Sequence, residues 1–227
     1  MRWMNVAAAV WIMVAAAACT STTDGRAVAP SGVDLKADVV IAEDGYGVQL
    51  GKPYAPAAIE IFTEPLCSHC ADLQFYFGEE MQMYVERGDL VVTYRPLTFL
   101  DPSPRGYSHQ VANAWFLAAA PGTKTKASAM LGWIQDLYWQ MNPNGPNIDA
   151  KAIAKIAKDD ALPSEVADRI AAGDRGVDLD AMAKANTKRL EGIINRSART
   201  PTVYDVNAKQ VIDVGNDNWV KNLVQGG

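Results

Sequence analysis

The chain has 227 residues, a formal net charge of −5 at pH 7 and 21% charged residues. This length allows one domain with an insertion, or two small domains, with a real hydrophobic core. The balance of charge is acidic and no segment is dominated by lysine and arginine, which argues against a nucleic-acid-binding protein.

The first 38 residues are predicted to lie outside the folded part of the chain. Residues 1–18 combine one positive charge with an apolar, alanine-rich run that is too short to span a membrane, as in a secretory signal peptide. Cys19 follows directly, as in a bacterial lipoprotein signal, so we expect lipidation there; ordinary cleavage within the alanine run is the alternative. Residues 19–38 then form a polar linker. We therefore expect a protein anchored by lipid to the outer side of the cell membrane, or secreted or periplasmic if Cys19 is not lipidated.

The folded part is predicted to begin with a short hairpin over residues 39–50, around a turn at Asp44-Gly45. A β-prone, largely apolar run over 57–63 predicts a strand that is buried on both faces. A helix is predicted over 68–87 and a second strand over 89–95. The order strand, helix, strand favours a right-handed crossover and a parallel pair of strands.

The next block of the sequence has helical spacing throughout and is bounded by proline and glycine. The predicted helices span 107–120, 125–140, 149–159, 163–172 and 179–195. An antiparallel hairpin over 202–214 and a last helix from about 218 to 224, capped by Asp217, complete the chain. The order of elements predicts an α/β chain in which a helical block separates two parts of a sheet.

The most informative motif is Cys67-Ser68-His69-Cys70, which follows the first core strand and begins the first long helix. Two cysteines three positions apart can close a small disulfide ring. The first sulfur lies near the unpaired N–H groups and the positive end of the helix dipole, which stabilise a thiolate. A cation at His69 favours the reduced form further, which makes the oxidised form a stronger oxidant. The motif therefore predicts redox chemistry.

Two other interpretations of the motif have less support from the sequence. A structural zinc site needs four ligands, and only His69 and His109 remain as candidates beside the two cysteines, so we expect no metal. A purely structural disulfide closes so small a ring that it removes little chain entropy. We predict no cofactor either.

The order of elements and the position of this motif resemble the DsbA-like branch of the thioredoxin superfamily. The segment 63–70 is similar to the Asp-Pro-x-Cys-Pro-His-Cys of many extracytoplasmic members, and Arg199-Thr200-Pro201 matches the site of the family's cis-proline. The resemblance implies a thioredoxin-like mixed sheet with an inserted all-helical subdomain. It places the thioredoxin-like domain at 39–104 and 197–227, and the inserted subdomain at 105–196.

The resemblance also implies the roles of the site residues. Cys67 matches the exposed nucleophile and Cys70 the buried resolving cysteine. His69 matches the histidine that modulates oxidising members, and Pro201 matches the cis-proline. Thr200 and Ser68 are the expected substrate-binding residues.

One departure from the family concerns a buried acid that many members carry six positions before the first cysteine. Ile61 occupies that position here, and Glu60 lies one step earlier. Because side chains alternate across a strand, Glu60 is expected on the opposite face unless a bulge restores it. Glu64 or water is the alternative route for the proton.

The resemblance implies a thiol-disulfide oxidoreductase. Within that class, a dithiol oxidase acting on exported proteins with free thiols is the favoured activity. A quinone-linked membrane protein is the expected re-oxidising partner, and the enzyme is expected to be a monomer. A reductase or isomerase is the first alternative. A non-catalytic binding lipoprotein on the same scaffold is the second, because a fold does not dictate an activity.

Overall fold

The computed structural model describes residues 39–101, 103 and 105–226. The predicted signal peptide, the linker and the lipidation site at Cys19 lie outside these residues. Six strands form one mixed sheet in the order β1-β2-β4-β3-β5-β6. The strands are β1 (Val39–Ile41), β2 (Val48–Leu50), β3 (Ala57–Thr63), β4 (Leu90–Pro96), β5 (Thr202–Asp205) and β6 (Gln210–Val211).

Seven helices occur in the described part of the chain, and five of them lie between β4 and β5. They are α1 (Ser68–Arg87), α2 (Tyr107–Ala118), α3 (Ala127–Gln140), α4 (Ala150–Asp159), α5 (Ser164–Ala172), α6 (Leu179–Ile194) and α7 (Trp219–Gln225). Among these helices, none combines the length and the apolarity that crossing a membrane would require.

The centre of the sheet is the parallel pair β3–β4, which α1 connects, as the order of elements predicts. The other neighbouring strands pair antiparallel. Six of the seven residues of β3 are buried, because helices cover both of its faces. Thr63 faces α3, whereas Glu60 faces α6. The Cys67–Cys70 motif therefore follows directly after a strand that is buried on both faces.

The hydrophobic core continues from the sheet into the helical block, which holds the strand end and α1 in place. Trp115 and Trp133 are fully buried, and Tyr94 of β4 contacts the Trp115 ring edge to face at 5.9 Å. A smaller cluster of Phe62, Leu97 and Leu190 packs on the opposite face of the sheet, beneath α6. Phe116 and Tyr138 of the helical block are buried as well, whereas Trp139 is 64% exposed.

Several predicted ends of elements were wrong. The strand predicted to stop before Pro96 includes this residue. Proline lacks only the backbone N–H, and the Pro96 carbonyl still accepts from Asn186 Nδ2 at 2.9 Å. β6 is shorter than predicted, since Asp213 Oδ1 accepts from the N–H of Gly215 and turns the chain. Asn218 rather than Asp217 is the N-cap residue of α7, and its side chain makes no capping hydrogen bond.

Candidate active site

Cys67 is the N-cap residue of α1, and its carbonyl accepts from the N–H groups of Cys70 and Ala71 at 3.0 and 3.1 Å. This geometry follows from the sequence: Cys67 has an extended backbone, and the next residue starts the helix. Both Cys67 and Cys70 are free thiols in this structure. The first sulfur therefore lies at the helix end where N–H groups lack partners within the helix.

The surroundings of Cys67 lower its pKa from 9.0 to about 6. The hydrogen bond from the Cys70 thiol is the largest cause, and the Thr200 side chain and the backbone N–H groups of Cys70 and His69 add to it, against the opposing effect of burial. The expectation of an exposed nucleophile was wrong in degree, since Cys67 is only 7% exposed. A thiolate at this position is nevertheless populated at neutral pH.

Cys70 has the opposite electrostatic character. It is 1% exposed, and burial raises its pKa well above the ordinary value, with the hydrogen bond to Cys67 acting in the same direction. The side chain of Thr63 and the backbone of Glu64 form hydrogen bonds to its sulfur that partly offset this rise. The pair therefore holds one thiolate at Cys67 and one neutral thiol at Cys70.

Behind Cys70, the hydroxyl groups of Thr63 and Tyr138 lie 2.5 Å apart. Thr63 is the last residue of β3, and Tyr138 is on α3, so the helical block contributes directly to the site. Burial raises the pKa of Tyr138 well above its usual range, so its hydroxyl keeps its proton. Sequence reasoning missed Tyr138, since nothing in the spacing of the chain links it to the cysteines.

Glu64 is the buried acid of this site. It is fully buried; its Oε1 accepts from Ser108 Oγ, and its Oε2 accepts from the Leu66 N–H at 2.7 Å. Burial raises its pKa from 4.5 to about 7; the two hydrogen bonds lower it, and the charges of Cys67 and Asp101 raise it slightly. The sequence offered Glu64 only as an alternative, and it could not identify Ser108 at the start of α2.

Glu60 lies on the other face of the sheet, away from the cysteines. Its carboxylate accepts from Arg95 Nε at 2.6 Å and from Arg189 Nε at 2.8 Å. β3 pairs with β4 and β5 in continuous register, so the idea that a bulge returns Glu60 to the cysteine face was wrong. Glu60 is part of a buried ion-pair network instead.

The remaining predicted site residues surround Cys67. The Thr200–Pro201 peptide bond is cis, as the resemblance implied, and the Cys67 thiol donates to the Thr200 carbonyl at 3.5 Å. Ser68 is exposed. The His69 side chain is 81% exposed, with its Nδ1 atom 3.6 Å from Asp72 Oδ2, so His69 reaches the Cys67 sulfur through its backbone N–H.

Comparisons with known proteins identify the family and the fold. A protein-family model described as Thioredoxin matches residues 43–224. The structure of the MdbA protein from Corynebacterium diphtheriae, a thiol-disulfide oxidoreductase, is similar with a TM-score of 0.67 and 24% identity, over 82% of this chain and 93% of that one. For the MdbA protein of Corynebacterium matruchotii the TM-score is 0.69 and the identity 21%, over 82% and 90% of the two chains. For oxidised DsbA from Mycobacterium tuberculosis the TM-score is 0.56 and the identity 20%, over 82% of this chain and 92% of that one.

Among curated proteins, the chain is 28% identical over 185 residues to the serine/threonine-protein kinase PknE of Mycobacterium tuberculosis and of Mycobacterium bovis. The match covers 78% of this chain and 31% of the kinases, so the chain spans about a third of the length of these curated relatives. The family model covers most of the chain, and the predicted mixed sheet with inserted helices is confirmed. The chain belongs to the Thioredoxin family and has the DsbA-like form of its fold.

Proposed function

We propose that this protein is an extracytoplasmic thiol-disulfide oxidoreductase that acts as a dithiol oxidase on exported proteins. The observation that carries the proposal is the contrast within one cysteine pair. The pKa of Cys67 is lowered to about 6 at a helix N-terminus, while that of the buried Cys70 is raised. This contrast supports a defined nucleophile and a defined resolving thiol.

The first step starts from the Cys67–Cys70 disulfide. A substrate thiolate attacks the Cys67 sulfur, a new bond forms between the two, and the Cys67–Cys70 bond breaks. Cys70 leaves with the electron pair and takes up a proton, because its pKa is raised. Glu64, whose pKa is about 7 and whose backbone contacts the Cys70 sulfur, is the proposed source of that proton. It recovers the proton from solvent.

In the second step, another thiolate of the same substrate attacks the substrate sulfur of the mixed disulfide. The substrate disulfide forms, and Cys67 leaves as a thiolate, which its lowered pKa makes a good leaving group. Each turnover removes two electrons and two protons from the substrate dithiol and places the two electrons on the enzyme cysteines.

The lowered pKa of Cys67 also supports the oxidising direction. At neutral pH the reduced enzyme carries a stabilised thiolate, and the disulfide has no equivalent charge. Stabilising the reduced form raises the reduction potential of the pair and makes the disulfide a better oxidant. A reductase needs the opposite, a disulfide form that is stabilised relative to the reduced form.

Location and partners belong to the same proposal. Residues 1–18 would direct export, and lipidated Cys19 would hold the enzyme at the membrane through a linker over 19–38. Because each turnover leaves the enzyme reduced, a two-electron acceptor must regenerate the disulfide, and a quinone-linked membrane protein fits that requirement. Substitution Cys19→Ser, followed by membrane fractionation, tests the anchor; a protein that remains in the membrane fraction would contradict it.

The redox equilibrium with glutathione tests the proposed direction. We expect the Cys67–Cys70 pair to require a large excess of oxidised glutathione before its disulfide forms. A pair that oxidises with only traces of oxidised glutathione would contradict the oxidase and favour a reductase.

A second assay tests catalysis itself. The oxidised enzyme should form disulfides in a reduced, unfolded protein, and Cys67→Ser should remove this activity. Cys70→Ser, with Cys67 first converted to a mixed disulfide with glutathione, should exchange the glutathione for the thiol of an unfolded protein that has one cysteine, and should retain that mixed disulfide because no second thiol resolves it. An oxidised wild-type protein that forms no disulfides in the unfolded protein, together with a Cys70→Ser variant that retains no mixed disulfide, would favour the non-catalytic binding protein.

A further inference from the structure

Three exposed aromatic side chains flank a pocket between α1 and α3, on the surface next to the cysteine site. Phe75 is 51% exposed, Tyr76 71% and Trp139 64%. The pocket that they line, here called the α1–α3 pocket, has a volume of about 250 Å³ and also contacts Gln74 and Gln135. Contiguous exposed aromatic groups on a soluble domain indicate an interaction site.

The aromatic walls are ordered by contacts among themselves. The ring of Phe75 packs edge to face against Tyr76 at 5.2 Å and against Trp139 at 5.3 Å between ring centres. Both distances lie in the range of favourable aromatic pairs. The walls therefore offer a preformed surface that suits another flat ring.

Gln74, one of the residues that line the pocket, carries a buried polar group without a partner. Gln74 is only 3% exposed, and its Oε1 accepts from the Tyr94 hydroxyl at 2.8 Å. Its buried Nε2 has no hydrogen-bond partner among the described residues. A buried donor without an acceptor is costly in a folded protein, so this N–H group favours a ligand that brings an oxygen atom into the pocket.

The amide of Gln135 lies close to that of Gln74. A Cβ atom built on Gly78 would lie 2.6 Å from Gln74 Nε2 and 3.4 Å from Gln135 Oε1, so the donor and the acceptor converge above this glycine. A hydroxyl group can accept from the first and donate to the second. The absence of a side chain at position 78 leaves the space that the Gln74 amide occupies.

The α1–α3 pocket adjoins the surface beside the cysteine site. Asp72 and Tyr76 line it, and the same two residues line a depression beside His69, Thr200 and Pro201. From Cys67 to Phe75 the helix rises by roughly 12 Å, at about 1.5 Å per residue. An extended polypeptide spans that length with about four residues.

We propose that the α1–α3 pocket binds a tyrosine side chain of an extended substrate polypeptide, about four residues from the cysteine that reacts with Cys67. The ring packs against Phe75 and Trp139. The hydroxyl oxygen accepts from Gln74 Nε2 and its proton is donated to Gln135 Oε1. The pocket is an inference from its own geometry, whereas the identity of the polypeptide as a thiol substrate rests on the proposed function.

The test uses labelled peptides in which serine replaces the reactive cysteine, so that binding is independent of redox chemistry. Three peptides carry tyrosine, phenylalanine or alanine at the fourth position from that serine. Fluorescence anisotropy with the full chain should show the tyrosine peptide binding about tenfold more tightly than the alanine peptide, with phenylalanine between them. Equal affinity of the three peptides would overturn the proposal.

Two variants locate the binding. Trp139→Ala should weaken the tyrosine peptide about tenfold, and Gln74→Met should remove the preference for tyrosine over phenylalanine while retaining phenylalanine binding. Tyr54→Ala is the matched control, because Tyr54 is also an exposed aromatic residue but precedes β3, at the opposite end of that strand from the cysteines. A control that weakens binding as much as Trp139→Ala would overturn the assignment.

Oxidation of dithiothreitol by the same variants separates this proposal from the proposed function. Tyr54→Ala should oxidise this small dithiol at the wild-type rate, since Tyr54 precedes β3 and the cysteines follow the other end of that strand. If the enzyme does not oxidise it at all but still selects the tyrosine peptide, the proposed function fails and the pocket remains. A concentration-dependent dimer that Trp139→Ala abolishes would show that a second copy fills the pocket, and would overturn the proposal.

Discussion

The hydroxyl groups of Thr63 and Tyr138 lie 2.5 Å apart, and Thr63 also forms a hydrogen bond to the Cys70 sulfur. A chain of polar groups thus runs from the buried cysteine to the helical block, through the last residue of β3. Since buried polar groups polarise one another in a low-dielectric interior, this chain helps to stabilise a charge on Cys70, against the larger opposing effect of burial.

The first prediction concerns Thr63→Val, which keeps the shape of the side chain and removes its hydroxyl. Cys70 must leave as a thiolate when substrate attacks the disulfide, and Thr63 stabilises that anion. A hydrogen bond to a charged group is worth about 1.5–3 kcal/mol. We expect mixed-disulfide formation to slow by at least about tenfold, as measured by stopped flow with the oxidised enzyme.

Thr93→Val is the matched control, because Thr93 is also a buried threonine of the sheet but lies opposite Glu60 in the register of β3 and β4, on the other face. It should leave the rate unchanged. An equal loss in both variants would show that threonine hydroxyls matter only through the stability of the sheet.

A second prediction concerns Tyr138→Phe. The substitution removes the partner of Thr63 while Thr63 still contacts Cys70, so the rate should fall by only a few-fold, less than for Thr63→Val. Tyr107→Phe is the control, since Tyr107 is another buried tyrosine whose hydroxyl donates to the Leu137 carbonyl. A rate loss for Tyr107→Phe that matches Tyr138→Phe would contradict a specific role for the Thr63–Tyr138 pair.

A third prediction follows from the raised pKa of Glu64. Between pH 4.5 and about 7 the folded protein retains a proton on Glu64 that the unfolded chain has lost. The free energy of unfolding therefore falls as the pH rises through this interval, by at most roughly 3 kcal/mol at about 1.36 kcal/mol per pKa unit. Glu64→Gln should remove this fall.

Urea unfolding of the reduced protein at several pH values measures the effect as a difference between wild type and variant. Taking the difference cancels the separate contribution of the Cys67 thiolate, which is lost as the pH falls through about 6. Glu79→Gln, an exposed change on α1, should leave the pH dependence intact. A Glu64→Gln profile parallel to that of wild type would show that Glu64 is charged in the folded protein.

A fourth prediction concerns the source of the lowered pKa of Cys67. The Cys70 thiol is its largest cause, so Cys70→Ala should raise the pKa of Cys67 from about 6 towards 9.0. Cys70→Ser keeps a hydroxyl donor and should raise it less. Ultraviolet absorbance of the thiolate follows the titration, and an unchanged midpoint in Cys70→Ala would assign the effect to the helix N-terminus and Thr200 instead.

The placement of the cysteine pair was predictable from the sequence, because a buried strand followed by a helical pattern puts Cys67 at a helix N-terminus. Strand alternation likewise predicted that Glu60 points away from the cysteines. These features depend only on neighbours along the chain. They do not depend on how the helical block packs against the sheet.

The polar groups behind Cys70 were not predictable in this way. Tyr138 lies 75 positions after Thr63, and Ser108 lies 44 positions after Glu64. Their contacts depend on how α2 and α3 pack against the end of β3, which periodicity does not determine. The degree of burial of Cys67 also depends on tertiary contacts, above all on the approach of Thr200 from a distant part of the chain.

The last prediction concerns the ion pairs on the opposite face of the sheet. The Arg95 side chain is 6% exposed and pairs with Glu60 at 2.6 Å and with Asp44 at 2.7 Å. Removing one partner of a buried ion pair costs about 3–5 kcal/mol, because the other charge is left without compensation. Glu60→Ala should therefore lower the free energy of unfolding by about 3 kcal/mol, since Asp44 still contacts Arg95.

Urea unfolding measures this loss, and Glu43→Ala, an exposed acidic residue beside the same sheet face, serves as the control. The titration of the Cys67 thiolate and the rate of mixed-disulfide formation should stay at their wild-type values in folded Glu60→Ala. A shift of either would connect Glu60 to the cysteines across the sheet and would contradict the assignment of the buried acid to Glu64.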